Sequence, residues 1–380
     1  MNFLRSLKDI SIIGVGDIGS KGITAIFWFY LASIILPSAY GEIHYFLNIA
    51  AIVSTFSLIG TQNSLTVYFA KNNSIVSTLS FISALAAIVS FLILFIFFNR
   101  FDIGLLVIGN VIFVLGISNF LGKKDFKKYA IFSIVQKILM ITFSLIAYSY
   151  FGVEWILLAI SLSYMVYLPI IFKNIKTYKI DFLSLKNNKH FISSNYFLML
   201  TNICTKQVDK LLIAPILGLS VLGNYALAEQ IILILTIIPS VIFKYVLPHT
   251  ANGISTEKLE KATILFSILL TALSIILMPI ILPIFFEKYT DVILLIQIMS
   301  LSVVPTTITV FYFAKILAME KATIPLLGGI ISSIITVTGM IGLGNLYGST
   351  GIAITYVLTY SIFCIFNYVM YKRIISKQEM

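Results

Sequence analysis

Lys206-Gln-Val-Asp209-Lys210-Leu-Leu-Ile-Ala-Pro215-Ile-Leu-Gly218-Leu-Ser-Val-Leu-Gly223-Asn-Tyr225-Ala-Leu-Ala-Glu229 sets three charges inside a long apolar run. A proline, a corner with two glycines and a second apolar run follow. Read as a helix, Asn202, Lys206, Asp209 and Lys210 share one stripe about 80–100° wide. Lys206 and Lys210 stand one turn apart, so two like charges occupy one face, which an isolated helix disfavours. Such an arrangement needs a partner or a wet cavity.

The surrounding chain fixes the class. It has 380 residues, 59% of them hydrophobic and 11% charged, with a mean hydropathy of +1.03. A soluble protein of this length needs more charge to cover its surface. Runs of about 20 apolar residues recur, long enough to cross a hydrocarbon layer of ~30 Å. The expected fold is an all-α polytopic membrane protein with about twelve transmembrane helices. They are placed at 15–36, 43–69, 75–98, 103–121, 130–150, 153–173, 191–217, 224–248, 261–285, 290–318, 322–346 and 350–371. Short loops join them, the longest at 174–190, which leaves no room for a soluble catalytic domain. The basic start has no small-residue cleavage site after it, so no removable signal peptide is expected. Cys204 and Cys364 both lie in apolar runs and form no CxxC motif. Neither a metal site, a cofactor nor a catalytic constellation is expected.

Charge orients the bundle. With the N-terminus in the cytoplasm, the inside segments carry 18 of the 26 basic residues, among them Lys123, Lys124, Lys127, Lys128, Lys186 and Lys189. Only Arg100 and Lys288 fall outside. The positive-inside rule then places both termini in the cytoplasm. The net charge of +11 is mostly topology, met by anionic membrane lipid, and gives no warrant for nucleic-acid binding.

The two halves resemble each other. Ser38-Ala-Tyr-Gly41 answers Ser220-Val-Leu-Gly223, and Phe151-Gly152 with Leu162-Ser-Tyr164 answers Tyr347-Gly348 with Leu358-Thr-Tyr360. With six spans per half both halves enter from the same side, which makes a parallel repeat with its pseudo-two-fold axis along the membrane normal. The expected organisation is an N-terminal six-helix lobe over 1–175, a basic cytoplasmic linker over 176–190, a C-terminal six-helix lobe over 191–373, and a tail over 374–380. A substrate site between the lobes is the usual use of such a repeat.

Six basic residues fall inside spans: Lys21, Lys137, Lys206, Lys210, Lys244 and Lys315. Each would cost about 2.5–3.5 kcal/mol at the bilayer centre. Lys21, Lys244 and Lys315 lie near cytoplasmic ends, where a lysine can snorkel to the interface. Lys137, Lys206 and Lys210 lie deeper and are expected to face an interior cavity. Asp17, Lys21, Thr24 and Trp28 form a stripe on the first span, with the acid N-terminal to the lysine as an intrahelical pair prefers. Asp17, Asp209 and Glu229 either neutralise neighbouring lysines or bind a coupling proton or cation. A cationic, partly neutralised cavity would attract an anionic ligand, and lysine serves phosphate as a point charge.

Asp209-Lys210, Leu217-Gly218, Val221-Leu-Gly223, Tyr225 and Ala228 resemble the seventh-to-eighth-span signature of bacterial polysaccharide-unit (O-antigen type) flippases. These belong to the multidrug/oligosaccharidyl-lipid/polysaccharide (MOP) exporter superfamily. Ala39-Tyr-Gly41-Glu42, Leu58-Ile-Gly60 and Tyr347-Gly-Ser-Thr-Gly351-Ile-Ala353 extend the resemblance over the chain. It implies twelve helices around a cationic cavity and ion-coupled export, by alternating access, of an undecaprenyl-pyrophosphate-linked oligosaccharide. Lys137, Lys206, Lys210 and Lys21 would then bind the anionic head group, and Gly41, Gly218, Gly223 and Tyr225 would shape the turns. A polysaccharide polymerase and chain-length machinery would be its associates. The chain is short for the family, which puts a span such as 103–121 at issue. The two extra C-terminal spans of the related lipid II flippases are not found, which speaks against a peptidoglycan precursor.

Three alternatives remain. A multidrug or other small-molecule exporter of the same superfamily would bind cations through acidic cavities, whereas the deep charges here are mainly lysines. A major-facilitator transporter would carry a Gly-x-x-x-Asp-Arg-x-Gly-Arg-type loop after its second span, where Ala70-Lys-Asn-Asn-Ser stands. A membrane polymerase or transferase would need an intramembrane His/Asp pair or a large external loop. His44, His190 and His249 all sit near span ends, where a solvated interfacial histidine is expected.

Overall fold

The computed structural model describes residues 3–376 apart from 60, 72–73, 176–179, 252–253, 290, 320 and 322. Among the described residues every regular element is helical. The chain opens with α1 (Phe3–Ile34), whose 32 residues reach about 48 Å at 1.5 Å per residue. Pro37 then begins α2 (Pro37–Ser57), a first-turn position that needs no backbone N–H. After a 46° bend the same span continues as α3 (Gln62–Ala70), capped by the Thr61 hydroxyl, which accepts from the Ser64 N–H at 3.3 Å. Next come α4 (Ile75–Phe98), α5 (Phe101–Gly122) and α6 (Phe126–Phe151). Asp125 caps α6 through the Lys128 N–H, and its hydrogen bond with the Lys128 ammonium holds its carboxyl below the usual range.

The sixth span is α7 (Ile156–Ser163) and α8 (Leu168–Ile175), joined by a 3-10 turn at Tyr164–Tyr167. A short helix, α9 (Phe182–Asn187), precedes α10 (Lys189–Leu217). Beyond Gly218, α11 (Leu219–Leu235) and α12 (Ile237–Ala251) make a second bent pair, also at 46°. They are followed by α13 (Glu257–Phe285). Then α14 (Val292–Met299) and α15 (Val303–Ala318) meet at a 3-10 turn over Ser300–Ser302. The final helix, α16 (Thr323–Ser376), is broken at Gly348, whose φ of 60° and ψ of −136° are not helical.

Seven described helices are long and apolar enough to span a membrane, and nine when each bent pair counts once. The break at Gly348 divides α16, and α1 and α10 are long enough to cross while carrying charges. Each of the twelve expected segments therefore falls on one of these helices. Two features recur between halves. The second span of each is bent by 46°. The last two spans of each are joined at a glycine with positive φ, 93° at Gly152 and 60° at Gly348, a region closed to most L-residues.

The chain divides into two compact units, Met1–Leu31 with Phe46–Ile203, and Ala32–Tyr45 with Cys204–Met380. The α1–α2 corner thus belongs with the second unit. In the first unit α5, the segment at issue in the sequence, is the enclosed element. Of its most apolar stretch 67% is buried, against 17% for α4, whose side chains face outward. Glycines let its neighbours come close: Gly104 lies under Phe91, Gly109 under Tyr164, Gly116 under Tyr167 and Gly122 under Phe69. Small residues at such contacts are how membrane helices gain packing. In the second unit α14 and α15 are half enclosed. Val246, Phe311 and Ala314 form a core there, and the Ser274 and Ser300 hydroxyls are 2.8 Å apart.

Candidate functional site

A buried cluster of charge lies in the second unit, where α10 and α11 run back on each other at Gly218 (φ 90°). Asp209 and Lys210, adjacent on α10, are 9% and 6% exposed. The Lys210 ammonium reaches Glu229 of α11 at 3.0 Å and the Asp209 carboxylate at 3.5 Å. Asp209 also accepts the Lys210 backbone N–H at 2.8 Å and the Tyr225 hydroxyl at 2.5 Å. Tyr225 in turn meets Tyr356 edge-on at 6.1 Å, and Tyr356 lies 4.7 Å from Tyr360. Among the described side chains two carboxylates flank one ammonium, so Asp209, Lys210 and Glu229 together carry a formal charge of −1. A buried ion pair is tolerated only where extra hydrogen bonds satisfy its remaining atoms, and Tyr225 supplies one.

A second aromatic group borders this cluster. Tyr40 packs on His44 at 4.5 Å and on Tyr289 at 6.1 Å, and His44 lies within electrostatic reach of Lys210. His44 is only 7% exposed, which corrects its expected place as a solvated interfacial histidine. The corner that carries it is covered by the α10–α11 corner. A carbon added to Gly41 would strike the Leu219 carbonyl oxygen, and one added to Gly223 would strike that of Pro37. His190 is exposed, and His249 is half-buried with its ring stacked on Tyr245 at 3.9 Å.

Lys206 lies on α10, but its side chain, with those of Asn202, Cys204 and Lys244, falls outside the described residues. In the first unit Lys137 is half-buried on α6, 5.9 Å from the Phe113 ring. No carboxylate among the described residues lies within 4 Å of its ammonium. Asp17 accepts the Tyr129 hydroxyl of α6 at 2.5 Å, while Lys21 is exposed, so the acid turns to α6 and not to the lysine one turn on. Lys315 is bound by Glu260 at 2.8 Å between the Tyr312 and Tyr371 rings. Among the described residues no group of three His, Cys, Asp or Glu side chains could hold a metal ion.

Sequence reasoning reached Asp209, Lys210, Glu229 and Tyr225, but missed Tyr40, His44, Tyr289 and Tyr356 around them. The i, i+4 spacing of Tyr356 and Tyr360 was the available signal, because it puts both rings on one face.

Residues 6–253 match the family described as "Polysaccharide biosynthesis protein". The chain belongs to that family. Its fold is shared with transporters of the MOP superfamily. A lipid II flippase, MurJ, in an inward closed conformation superposes with a TM-score of 0.71 at 13% identity, over 95% of this chain and 87% of that one. An inward-facing multidrug resistance MATE family transporter of the MOP superfamily gives 0.67 at 14% identity, over 97% and 95%. A MOP transporter from Pyrococcus furiosus, described as having a binding pocket of reverse polarity that suggests a different function, gives 0.56 at 15% identity, over 98% and 94%. No curated protein matches the chain. This member of the polysaccharide biosynthesis protein family is therefore a multi-pass membrane protein with the fold of MOP transporters and a buried Asp–Lys–Glu–Tyr cluster in its second unit.

Proposed function

We propose that the protein is a flippase that moves an undecaprenyl-pyrophosphate-linked oligosaccharide unit across the bacterial inner membrane by alternating access. The carrying observation is the Lys210 ammonium, buried and held between Glu229 and Asp209. Family membership supports the polysaccharide substrate, and the fold supports a transporter.

The mechanism follows from the charge count. Lys210 is one cation with two carboxylate partners, so a phosphate oxygen can replace Glu229 at Nζ. Glu229, left enclosed without its ammonium, then takes up one proton, because an unpaired buried carboxylate is costly. When the phosphate leaves, Glu229 releases the proton and returns to Lys210. Asp209, fixed by Tyr225, keeps the ammonium in place throughout. Lys206, Lys137 and Lys21 are assigned to the same anion, and Asp17 to charge balance beside Tyr129. Six spans over 1–175 and six over 191–373, a linker over 176–190 and cytoplasmic termini complete the scheme. A polymerase and chain-length machinery are the proposed associates.

The test is flipping of a fluorescent lipid-linked oligosaccharide in proteoliposomes. Lys210→Arg should retain much of the rate, and Lys210→Gln should lose it with unchanged insertion. Normal flipping by Lys210→Gln would remove the anion site. The excess carboxylate favours one rival, a small-molecule exporter of organic cations. Extrusion of a cationic dye by the same vesicles, with no movement of the lipid-linked unit, would select it.

A further inference from the structure

The segment between the sixth and seventh spans carries an exposed surface apart from the Lys210 cluster. In α9, Phe182 and Leu183 are 60% and 69% exposed and Lys186 is exposed too, as are Ile180 just before the helix, at 49%, and Lys189 just after it at the start of α10. At 100° per residue Phe182, Lys186, Leu183 and Asn187 share one side, while Ser184 and Leu185, half-buried, face the other way. Apolar and basic side chains therefore point outward together, an arrangement that water alone does not reward.

Two observations bear on what meets this face. Asp181, at the start of α9, exchanges hydrogen bonds with Thr78: its N–H donates to the hydroxyl at 2.8 Å, and its carbonyl accepts from it at 3.2 Å. Thr78 lies in the first turn of α4, a span that turns Phe81, Leu85, Ile88 and Leu92 outward. Thus α9 is tied to the end of a lipid-facing helix, at the level where hydrocarbon gives way to headgroups. The charge also fits. Asp181 is the single acid in 174–203, and its carboxylate caps α9 by accepting the Ser184 N–H at 3.0 Å. Lys186 and Lys189 are left unopposed along the segment.

We propose that α9 is an interfacial helix that seats Phe182 and Leu183 at the acyl–headgroup boundary and binds anionic phospholipid headgroups through Lys186 and Lys189. Aromatic and aliphatic anchors with basic residues beside them are the mark of helices that lie in that layer. The assignment is independent of what the protein transports.

The test uses the full chain with Leu183→Cys in a Cys204→Ser, Cys364→Ser background, labelled with an environment-sensitive fluorophore. It is reconstituted in vesicles of phosphatidylcholine alone or with phosphatidylglycerol. The expected result is blue-shifted emission, strong quenching by lipid-borne nitroxide and weak quenching by aqueous iodide. Phosphatidylglycerol should strengthen all three. That increment should vanish at ~1 M salt, where the screening length falls from about 10 Å to 3 Å. It should also vanish in Lys186→Glu, Lys189→Glu. Emission typical of water overturns the proposal. So does a label shielded from both quenchers, which would mean a protein surface or a second copy covers the face. Equal behaviour in the two vesicles overturns the headgroup assignment. Should the cysteine-free background fail to fold, acetylation of Lys186 and Lys189 in the unmodified chain gives the same reading, with protection expected only in anionic vesicles.

Discussion

Gly41 and Gly223 face each other with no room for a side chain on either. The obstacle to a carbon on Gly41 is the Leu219 carbonyl oxygen, and the obstacle on Gly223 is that of Pro37. Gly41 and Gly223, like Pro37 and Leu219, are 182 positions apart. Each half thus offers the other the same contact, as in a self-complementary interface, with a single chain supplying both sides.

Substituting either glycine should therefore act alike. Gly41→Val and Gly223→Val are expected to lower stability by about 1–3 kcal/mol each through overpacking against backbone. Combining them should cost less than the sum, because one forced separation relieves both clashes. Thermal unfolding in detergent measures this, and strict additivity would show that the two corners do not share the contact.

The Lys210 cluster predicts an asymmetric response. Lys210→Ala leaves two carboxylates facing each other and should destabilise by about 3–5 kcal/mol, the usual loss for one partner of a buried pair. Adding Glu229→Gln should recover a large part of it by removing the unpaired charge. The readout is the unfolding midpoint of the single and double variants, and a double variant no better than Lys210→Ala would contradict the pairing.

Tyr225→Phe removes one hydroxyl and leaves the ring against Tyr356. A hydrogen bond to a charged group contributes about 1.5–3 kcal/mol, so this change should be felt in stability. It also frees Asp209 to compete with Glu229 for the ammonium. Flipping as a function of pH should therefore shift in Tyr225→Phe and stay unshifted in Tyr356→Phe.

Topology provides a separate check. Reporter fusions after Lys186 and after Met380 should read as cytoplasmic, and fusions after Asp102 and Glu287 as external. A C-terminal reporter on the outside would undo the twelve-span count.

The histidines divide by burial. His190→Ala and His249→Ala should leave expression and export close to normal, while His44→Ala should lower stability by opening a gap beside Tyr40. Unfolding midpoints of the three single variants decide this.

What the sequence made legible follows from what periodicity encodes. Apolar runs located the spans, and the recurring glycines marked corners that the structure uses twice. The Asp209–Lys210 stripe was visible because both residues lie on one helix. Asp17 with Tyr129 was not, since the two lie 112 positions apart on different helices and nothing local links them. His44 was misplaced for a related reason. A span end is wet only when no other segment folds over it, and the fold of the α10–α11 corner over α2 is a tertiary fact.

The glycine notches of α5 also bear on how the chain is made. Phe69 and Phe91, which fill two of them, precede or border α5 in the chain, but Tyr164 and Tyr167, which fill the other two, are translated some 50 residues after Gly109 and Gly116. Until they emerge, two of the four notches on α5 lack the side chains that fill them. Final seating of this helix is therefore a late event of biogenesis, completed when the sixth span leaves the ribosome, and a chain stalled before residue 164 would hold α5 in the bilayer without its lock.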